Sequence, residues 1–326
     1  MKGHKILIVG GAGYIGSHVA LAFQEAGATV VVLDNLSTGR RENLQPGMEL
    51  IEGDLQLPGL LADLFRGHFD GVIHLAAQKA AGESMVKPEL YSRQNLIGSL
   101  NLLEAYAKQP QSRLIFSSTA AVYGNPVRLP MDETHPTAPV NFYGFTKLAI
   151  EGYLDWYGRL RGMQFAALRY FNAAGYDALG RIQGLEKNPQ NLIPVVMEVA
   201  KGWRKNLQVF GNDYPTSDGS GVRDYIHVSD LGRAHVAAYR RLIETPGNLT
   251  VNLGTGKGYS VFEVIEETRR VSGRPIPHEV VPRREGDPPE VYASAQLAKE
   301  TLGWQARESD LSNMIESTWN CYKNLP

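Results

Sequence analysis

Three residues of this sequence have the types and spacing to move a proton: Thr119, Tyr143 and Lys147. Leu114-Ile115-Phe116 reads as the end of a buried strand, so Ser117, Ser118 and Thr119 stand where an open parallel sheet presents its carboxyl edge to ligands. Tyr143 and Lys147 are four residues apart, and Leu148, Ala149, Glu151, Leu154 and Asp155 after them suit a helix. Both side chains then project from one helix face. An isolated phenol titrates near ~10, and a neighbouring ammonium favours the phenolate, so Tyr143 is expected to serve as a base. The Tyr-x-x-x-Lys spacing alone is also that of any amphipathic helix. The strand-end hydroxyl upstream gives it chemical meaning.

The elements that position these groups are read from the amino end. Lys5-Ile6-Leu7-Ile8-Val9 is a non-alternating apolar run, as in a central parallel strand, and it leads into Gly10-Gly11-Ala12-Gly13-Tyr14-Ile15-Gly16. Gly10, Gly13 and Gly16 permit a tight strand-to-helix turn and a close approach to a pyrophosphate, which the helix amino end attracts. The next strand ends in Asp34, about 20 residues downstream, where a carboxylate meets the adenosine ribose hydroxyls. It also repels a 2′-phosphate, so NAD is expected over NADP. Later strand ends carry Asp54 and Leu55, suited to adenine, and Ala76 and Ala77, small enough for a cofactor to lie against the backbone. His74 sits inside an apolar run and is expected to be a core histidine. Asn95 falls in a helix spanning 88–108, from which its amide faces the cofactor edge or simply packs. Residues 165–170 form another strand, followed by Phe171 and Asn172.

The alternation predicts an α/β fold, a Rossmann-type doubly wound parallel sheet with a smaller α/β substrate-binding domain. From 175 to 221 the text turns rich in Gly, Pro, Asn and Asp, which suggests a second lobe over the crevice. The expected division is 1–175 plus 222–258 for the NAD-binding domain and 176–221 plus 259–326 for the other.

Composition narrows the function classes. With 33 basic and 34 acidic residues among 326, the net charge of −1 provides no field to hold nucleic acid or an anionic membrane. No apolar run approaches the ~20 residues of a membrane span, and the chain opens directly into a strand pattern, so a cytoplasmic location is expected. The single cysteine, Cys321, excludes an internal disulfide and is expected to be a structural thiol.

Together with the Gly10 fingerprint, Thr119 and the Tyr143/Lys147 pair, four longer stretches carry a family resemblance. They are Ala77-Gln78-Lys79-Ala80-Ala81-Gly82-Glu83-Ser84, Phe210-Gly211-Asn212-Asp213-Tyr214-Pro215-Thr216, Gly221-Val222-Arg223-Asp224-Tyr225-Ile226-His227-Val228 and Pro282-Arg283-Arg284-Glu285-Gly286-Asp287. The chain resembles the extended short-chain dehydrogenase/reductase family over nearly its whole length. The resemblance implies that Thr119, Tyr143 and Lys147 are catalytic. It implies NAD contacts from Gly10, Gly13, Tyr14, Ile15, Gly16, Asp34, Asn35, Asp54, Leu55, Lys79, Asn95 and Tyr170. For a UDP-sugar it points to Lys79, Asn172, Asn191, Leu192, Arg223, Arg284 and Asp287, with the 206–210 strand (Asn206, Gln208, Phe210) receiving the uracil. Guanidinium forks suit a diphosphate, and amides and carboxylates suit ribose and sugar hydroxyls.

The activity implied is interconversion of UDP-galactose and UDP-glucose through a transient 4-keto sugar, with NAD retained and a homodimer as the working form. Val291, four residues after Asp287, is small where the family gates the sugar 2-substituent, so N-acetylated UDP-hexosamines are expected to be admitted too. Dehydratases, decarboxylases and uronate epimerases of the same family are the rivals. Ala120 and Ala121, which cannot exchange a proton, stand where a dehydratase needs acidic residues. A regulatory protein that kept only the cofactor site is a further alternative, but such proteins usually lose the tyrosine or the lysine.

Overall fold

The structure, a computed structural model, describes residues 1–109, 111–284 and 286–325. Seven parallel strands form the main sheet. From one edge to the other they are Leu249–Leu253, Gln164–Tyr170, Arg113–Thr119, Gly71–His74, Lys5–Val9, Thr29–Asp34 and Glu49–Glu52. The order reverses direction beside Lys5–Val9, which places the switch point at the strand that feeds the glycine turn.

Ile6, Leu7, Ile8 and Val9 are all buried, because a sheet covered by helices on both faces has no solvent side to alternate toward. Their side chains divide between two cores. Ile6 and Ile8 pack with Val19, Phe23 and Leu231 under the helices Tyr14–Glu25 and Val228–Glu244; Leu7 and Val9 pack with Leu102, Leu154 and Phe165 under the helices Gly98–Tyr106 and Phe142–Arg161.

A third core lies apart. Ile193, Met197, Val209, Ile265, Met314 and Cys321 cluster between the helices Leu192–Lys201, Val261–Ser272 and Leu311–Tyr322. Small strand pairs frame this lobe: Leu207–Phe210 with His278–Val281, and Val222–Arg223 with both Tyr259–Ser260 and Glu290–Val291. Ala298 and Trp304 pack back on the first core, so the carboxyl third of the chain touches both lobes.

Three local readings differ from the structure. The sequence suggests a strand over 224–228; the structure shortens it to Tyr225–His227, which pairs Asn172–Ala174, while Val222–Arg223 before it pairs elsewhere. The break falls at fully buried Asp224, whose carboxylate accepts from Thr255 N (3.1 Å), Thr255 Oγ1 (2.7 Å) and Ala293 N (3.2 Å). The third strand ends at Glu52 rather than Leu55, since Asp54 Oδ1 accepts from Gln56 N (2.8 Å) and turns the chain. The helix over 88–108 is interrupted by a π turn, Ser92–Ile97, which contains Asn95. Among the described residues no helix is long and apolar enough to cross a membrane.

Candidate active site

Thr119 ends the Arg113–Thr119 strand, and its Oγ1 accepts from Ala121 N (3.2 Å), capping the short turn Ala120–Val122. The catalytic helix starts one residue before Tyr143. Asn141 caps it by accepting from Gly144 N (2.8 Å), and Tyr143 N donates to Ser84 Oγ (3.0 Å), which fixes the helix entry. Thr119 is the hydroxyl neighbour of the Tyr143 phenol. Lys147, one turn on and 2% exposed, donates from Nζ to Ser117 O (2.8 Å) and stands 4.8 Å from the Phe116 ring centroid.

The ammonium therefore points at a strand carbonyl, and burial decides both titrations. Tyr143 is pushed up to about 12 by burial, against which the neighbouring Thr119 hydroxyl works. Lys147 is pulled down to about 7 by burial, opposed by the Glu151 carboxylate. Burial is the largest influence on each group, so the phenol is raised rather than lowered as expected.

Residues that the sequence reading did not single out hold this arrangement. Glu151 accepts from Ser118 Oγ (2.5 Å) and receives a bidentate fork from Arg169, Nε at 2.9 Å and Nη2 at 2.5 Å. Arg169 Nη1 donates to Tyr123 Oη (3.0 Å), and Tyr123 donates to Asn252 Oδ1 (2.6 Å). Ser117 Oγ and Tyr170 Oη are also bonded. The strand that ends in Thr119 is thus tied to the catalytic helix by Ser117 and Ser118, its last two residues before the threonine. Glu151 at four past Lys147 was the available sequence signal.

The glycine turn has the shape of a dinucleotide cradle. A Cβ at Gly16 would stand 2.0 Å from Gly10 O, and one at Gly10, where φ is +84°, would stand 2.6 Å from Ala76 N. Only glycine fits either place. Gly13, Tyr14 and Ile15 line the turn into the helix, and Ala76 and Ala77 follow the neighbouring strand. Asp34 accepts from Ala12 N (2.9 Å) and Leu36 N (2.8 Å), so it buttresses the turn, and each oxygen keeps a second acceptor site. Asn35 donates to Asp54 Oδ2 (2.7 Å), and Leu55 beside it is buried.

Asn95 differs in role from a free cofactor contact. Its amide is engaged on both sides, accepting from Gln78 N (2.8 Å) and donating to Gln78 O (3.0 Å) and Thr146 Oγ1 (3.1 Å). The widened π turn aims the amide at the loop after the Gly71–His74 strand. Tyr170 reaches the site through Ser117. His74 is a core histidine, as expected: it shares a hydrogen bond with Ser99 Oγ (2.8 Å) and is pulled down to about 3 by burial.

The residues expected around the UDP-sugar occur in pairs. Arg223 and Asp287 form an ion pair (3.3 Å), and the Arg284 guanidinium lies 3.8 Å from the Phe210 ring centroid. Leu207 and Val209 point into the third core, which leaves Asn206, Gln208 and Phe210 on the other face of their strand. Asn206 Nδ2 donates to Glu279 Oε2 (3.2 Å), Asn172 Nδ2 to Asp224 O (3.1 Å), and Asn191 and Leu192 open the Leu192–Lys201 helix. Lys79 is ion-paired with Glu186 across the crevice. Val291 lies beside Arg223 in the paired strand. Glu285, inside the Pro282 to Asp287 motif, lies outside the described residues.

A glycine cradle at the sheet's switch point and a Thr–Tyr–Lys set at its carboxyl edge define a nucleotide-dependent enzyme of short-chain dehydrogenase type. The chain belongs to the NAD dependent epimerase/dehydratase family, whose model matches residues 6–254. A relative from Halalkalibacterium halodurans described as UDP-glucose 4-epimerase is 47% identical over 323 residues, covering 98% of this chain and 96% of its own. The crystal structure of UDP-glucose 4-epimerase from Brucella ovis in complex with NAD superposes with a TM-score of 0.95 at 42% identity, covering 98% of both chains. That of the Bifidobacterium longum UDP-glucose 4-epimerase in complex with NAD+ and UDP gives 0.91 at 39% identity, again over 98% of both chains.

Proposed function

We propose that this NAD-dependent isomerase interconverts UDP-galactose and UDP-glucose. The observation that carries the reading is buried Lys147, one helical turn from Tyr143, with its Nζ on the carbonyl of Ser117 (2.8 Å) in the strand that ends at Thr119, at the sheet's carboxyl edge. Bound NAD would supply the hydride acceptor for sugar C4 and the donor for its return. Tyr143 removes the proton from the 4-hydroxyl and later gives it back, Thr119 holds the 4-oxygen and relays the proton, and Lys147 supplies positive charge beside the phenol and would help hold the nicotinamide ribose. For the phenol to serve as a base, positive charge beside it must offset the upward shift that burial gives it.

Epimerisation needs the keto sugar to present its other face. Binding energy placed in the remote nucleotide permits that turn: Arg223, Arg284 and Asp287 grip the UDP, Phe210 and its strand neighbours take the uracil, and Asn172, Asn191 and Leu192 flank the hexose more loosely. The absence of any acid or base at Ala120 and Ala121 favours epimerisation over dehydration.

The working form is a cytoplasmic homodimer. Phe145, Tyr153, Trp156 and Leu160 are exposed along the Phe142–Arg161 helix, a stripe one monomer leaves uncovered.

Incubating the purified protein with UDP-galactose and no added cofactor, then separating the nucleotide sugars, is expected to yield UDP-glucose. With small Val291 beside Arg223, UDP-N-acetylglucosamine is expected to yield its galacto epimer in the same assay. No UDP-glucose even with NAD supplied would overturn the substrate assignment, and turnover of UDP-galactose alone would overturn the wider specificity.

A further inference from the structure

Residues 181–187 are stitched to both flanks of the cofactor site. On one flank is the loop after the Thr29–Asp34 strand. Gln45 Nε2 donates to Arg181 O (2.8 Å), Arg40 Nε to Leu185 O (2.6 Å) and Lys187 Nζ to Ser37 O (3.3 Å). Asn43, 2% exposed, binds Gly184 in both directions, accepting from its N–H (2.8 Å) and donating to its carbonyl (3.4 Å). On the other flank, Glu186 pairs with Lys79 in the loop after the Gly71–His74 strand. These two strands lie either side of Lys5–Val9. A segment held by both loops must pass over the carboxyl end of the strand between them, where the glycine cradle stands. Consistent with that path, Lys79 Nζ is 6.0 Å from the ring centroid of Tyr14 in the cradle.

We propose that residues 181–187 form a strap across the cofactor crevice, with Arg40, Asn43, Gln45 and Gly184 as its fastening, and that it slows the release of NAD. The inference rests on the NAD-dependent reading above. The fastening is mostly from side chains to backbone, so it depends on the strap's path rather than on its side chains. The seam is also tight. A Cβ at Gly184 would stand 2.4 Å from Asn43 Oδ1 and 2.8 Å from Arg40 Cδ. Several hydrogen bonds must open together before the strap lifts, which makes departure of a covered ligand a gated event.

The test uses the NAD-loaded protein. It is desalted into cofactor-free buffer with charcoal as a trap, and the nucleotide still bound is released by acid and measured over time. The double variant Arg40→Ala/Gln45→Ala is expected to lose NAD at least ten-fold faster than the parent. Gly184→Ala, which removes no polar partner and needs no unusual backbone, is expected to act in the same direction by prying the seam apart. Release at the parent rate from both variants would overturn the strap while leaving the cofactor assignment standing, because the readout needs no turnover. A parent protein that retains no NAD under any loading would overturn both.

Discussion

Tyr143 and Lys147 face opposite penalties for the same burial: the phenol resists losing its proton and the ammonium resists keeping one. Thr119 works against the shift of the phenol and Glu151 against that of the ammonium, and Glu151 belongs to the strand-end tie with Ser118 and Arg169. Replacing Tyr143 by Phe removes the proton acceptor and keeps the ring. It is expected to lower kcat about 10²–10⁴-fold with KM changed only a few-fold, as steady-state kinetics would show; a variant of unchanged kcat would remove the tyrosine from its role. The identities of Thr119, Tyr143, Lys147 and the fingerprint glycines were legible in the sequence, because each motif is local and the residue type itself carries the chemistry. Glu151 and Arg169 were not legible as a pair. Their meeting depends on the register that sets Ser118 opposite Arg169, and register across parallel strands leaves no mark in spacing. The direction of the Lys147 ammonium was hidden for the same reason.

At the scale of elements, the Phe142–Arg161 helix presents two unlike faces. Gly144, Lys147, Ile150, Glu151 and Leu154 are buried against the sheet, while Trp156 and Leu160 are 58% and 71% exposed. Solvated Trp and Leu on a helix this long are a cost that pairing with a second copy removes, at about 25 cal/mol per Å² covered. Trp156→Glu together with Leu160→Glu is expected to give a folded monomer by light scattering at micromolar concentration; a parent protein that is already monomeric there would contradict the dimer. The apolar arc of this helix was legible from periodicity alone. The π turn at Ser92–Ile97 was not, since its extra residue reflects the tertiary demand that Asn95 meet Gln78 and Thr146. The broken strand around Asp224 likewise follows from a buried carboxylate that needs donors from two other segments.

At the scale of the whole molecule, three buried histidines tie stability to pH. His18 and His235 are pulled down to about 4 and His74 to about 3, each chiefly by burial. Their folded values lie below the unfolded value of ~6.5, so the unfolded chain takes up protons first as pH falls. Stability is full above ~6.5 and declines toward ~4, by about 2 kcal/mol per histidine at pH 5. Asp224, raised to about 6 by burial, works in the opposite sense by about 1 kcal/mol at that pH, and Glu133, also raised by burial, adds to it. The melting temperature is expected to fall by about 5 °C or more between pH 7 and pH 5, and scanning calorimetry showing no fall would contradict the balance. The doubly wound sheet was visible in the sequence from its alternation of apolar runs and helices. How the carboxyl third divides between two cores was not, because residues 296–304 look like any amphipathic segment until Trp304 is seen against the first core.

The central claim is that C4 is oxidised and then reduced by the same hydride within one site. UDP-galactose carrying deuterium at C4 tests it most directly, with the UDP-glucose product examined by mass spectrometry and proton NMR. The account predicts deuterium retained at C4 of the product, with no exchange with solvent and no transfer between substrate molecules. Loss of the label to water would mean that C4 is inverted by proton abstraction rather than by hydride transfer, and the roles given to Tyr143 and to the cofactor cradle would fall together.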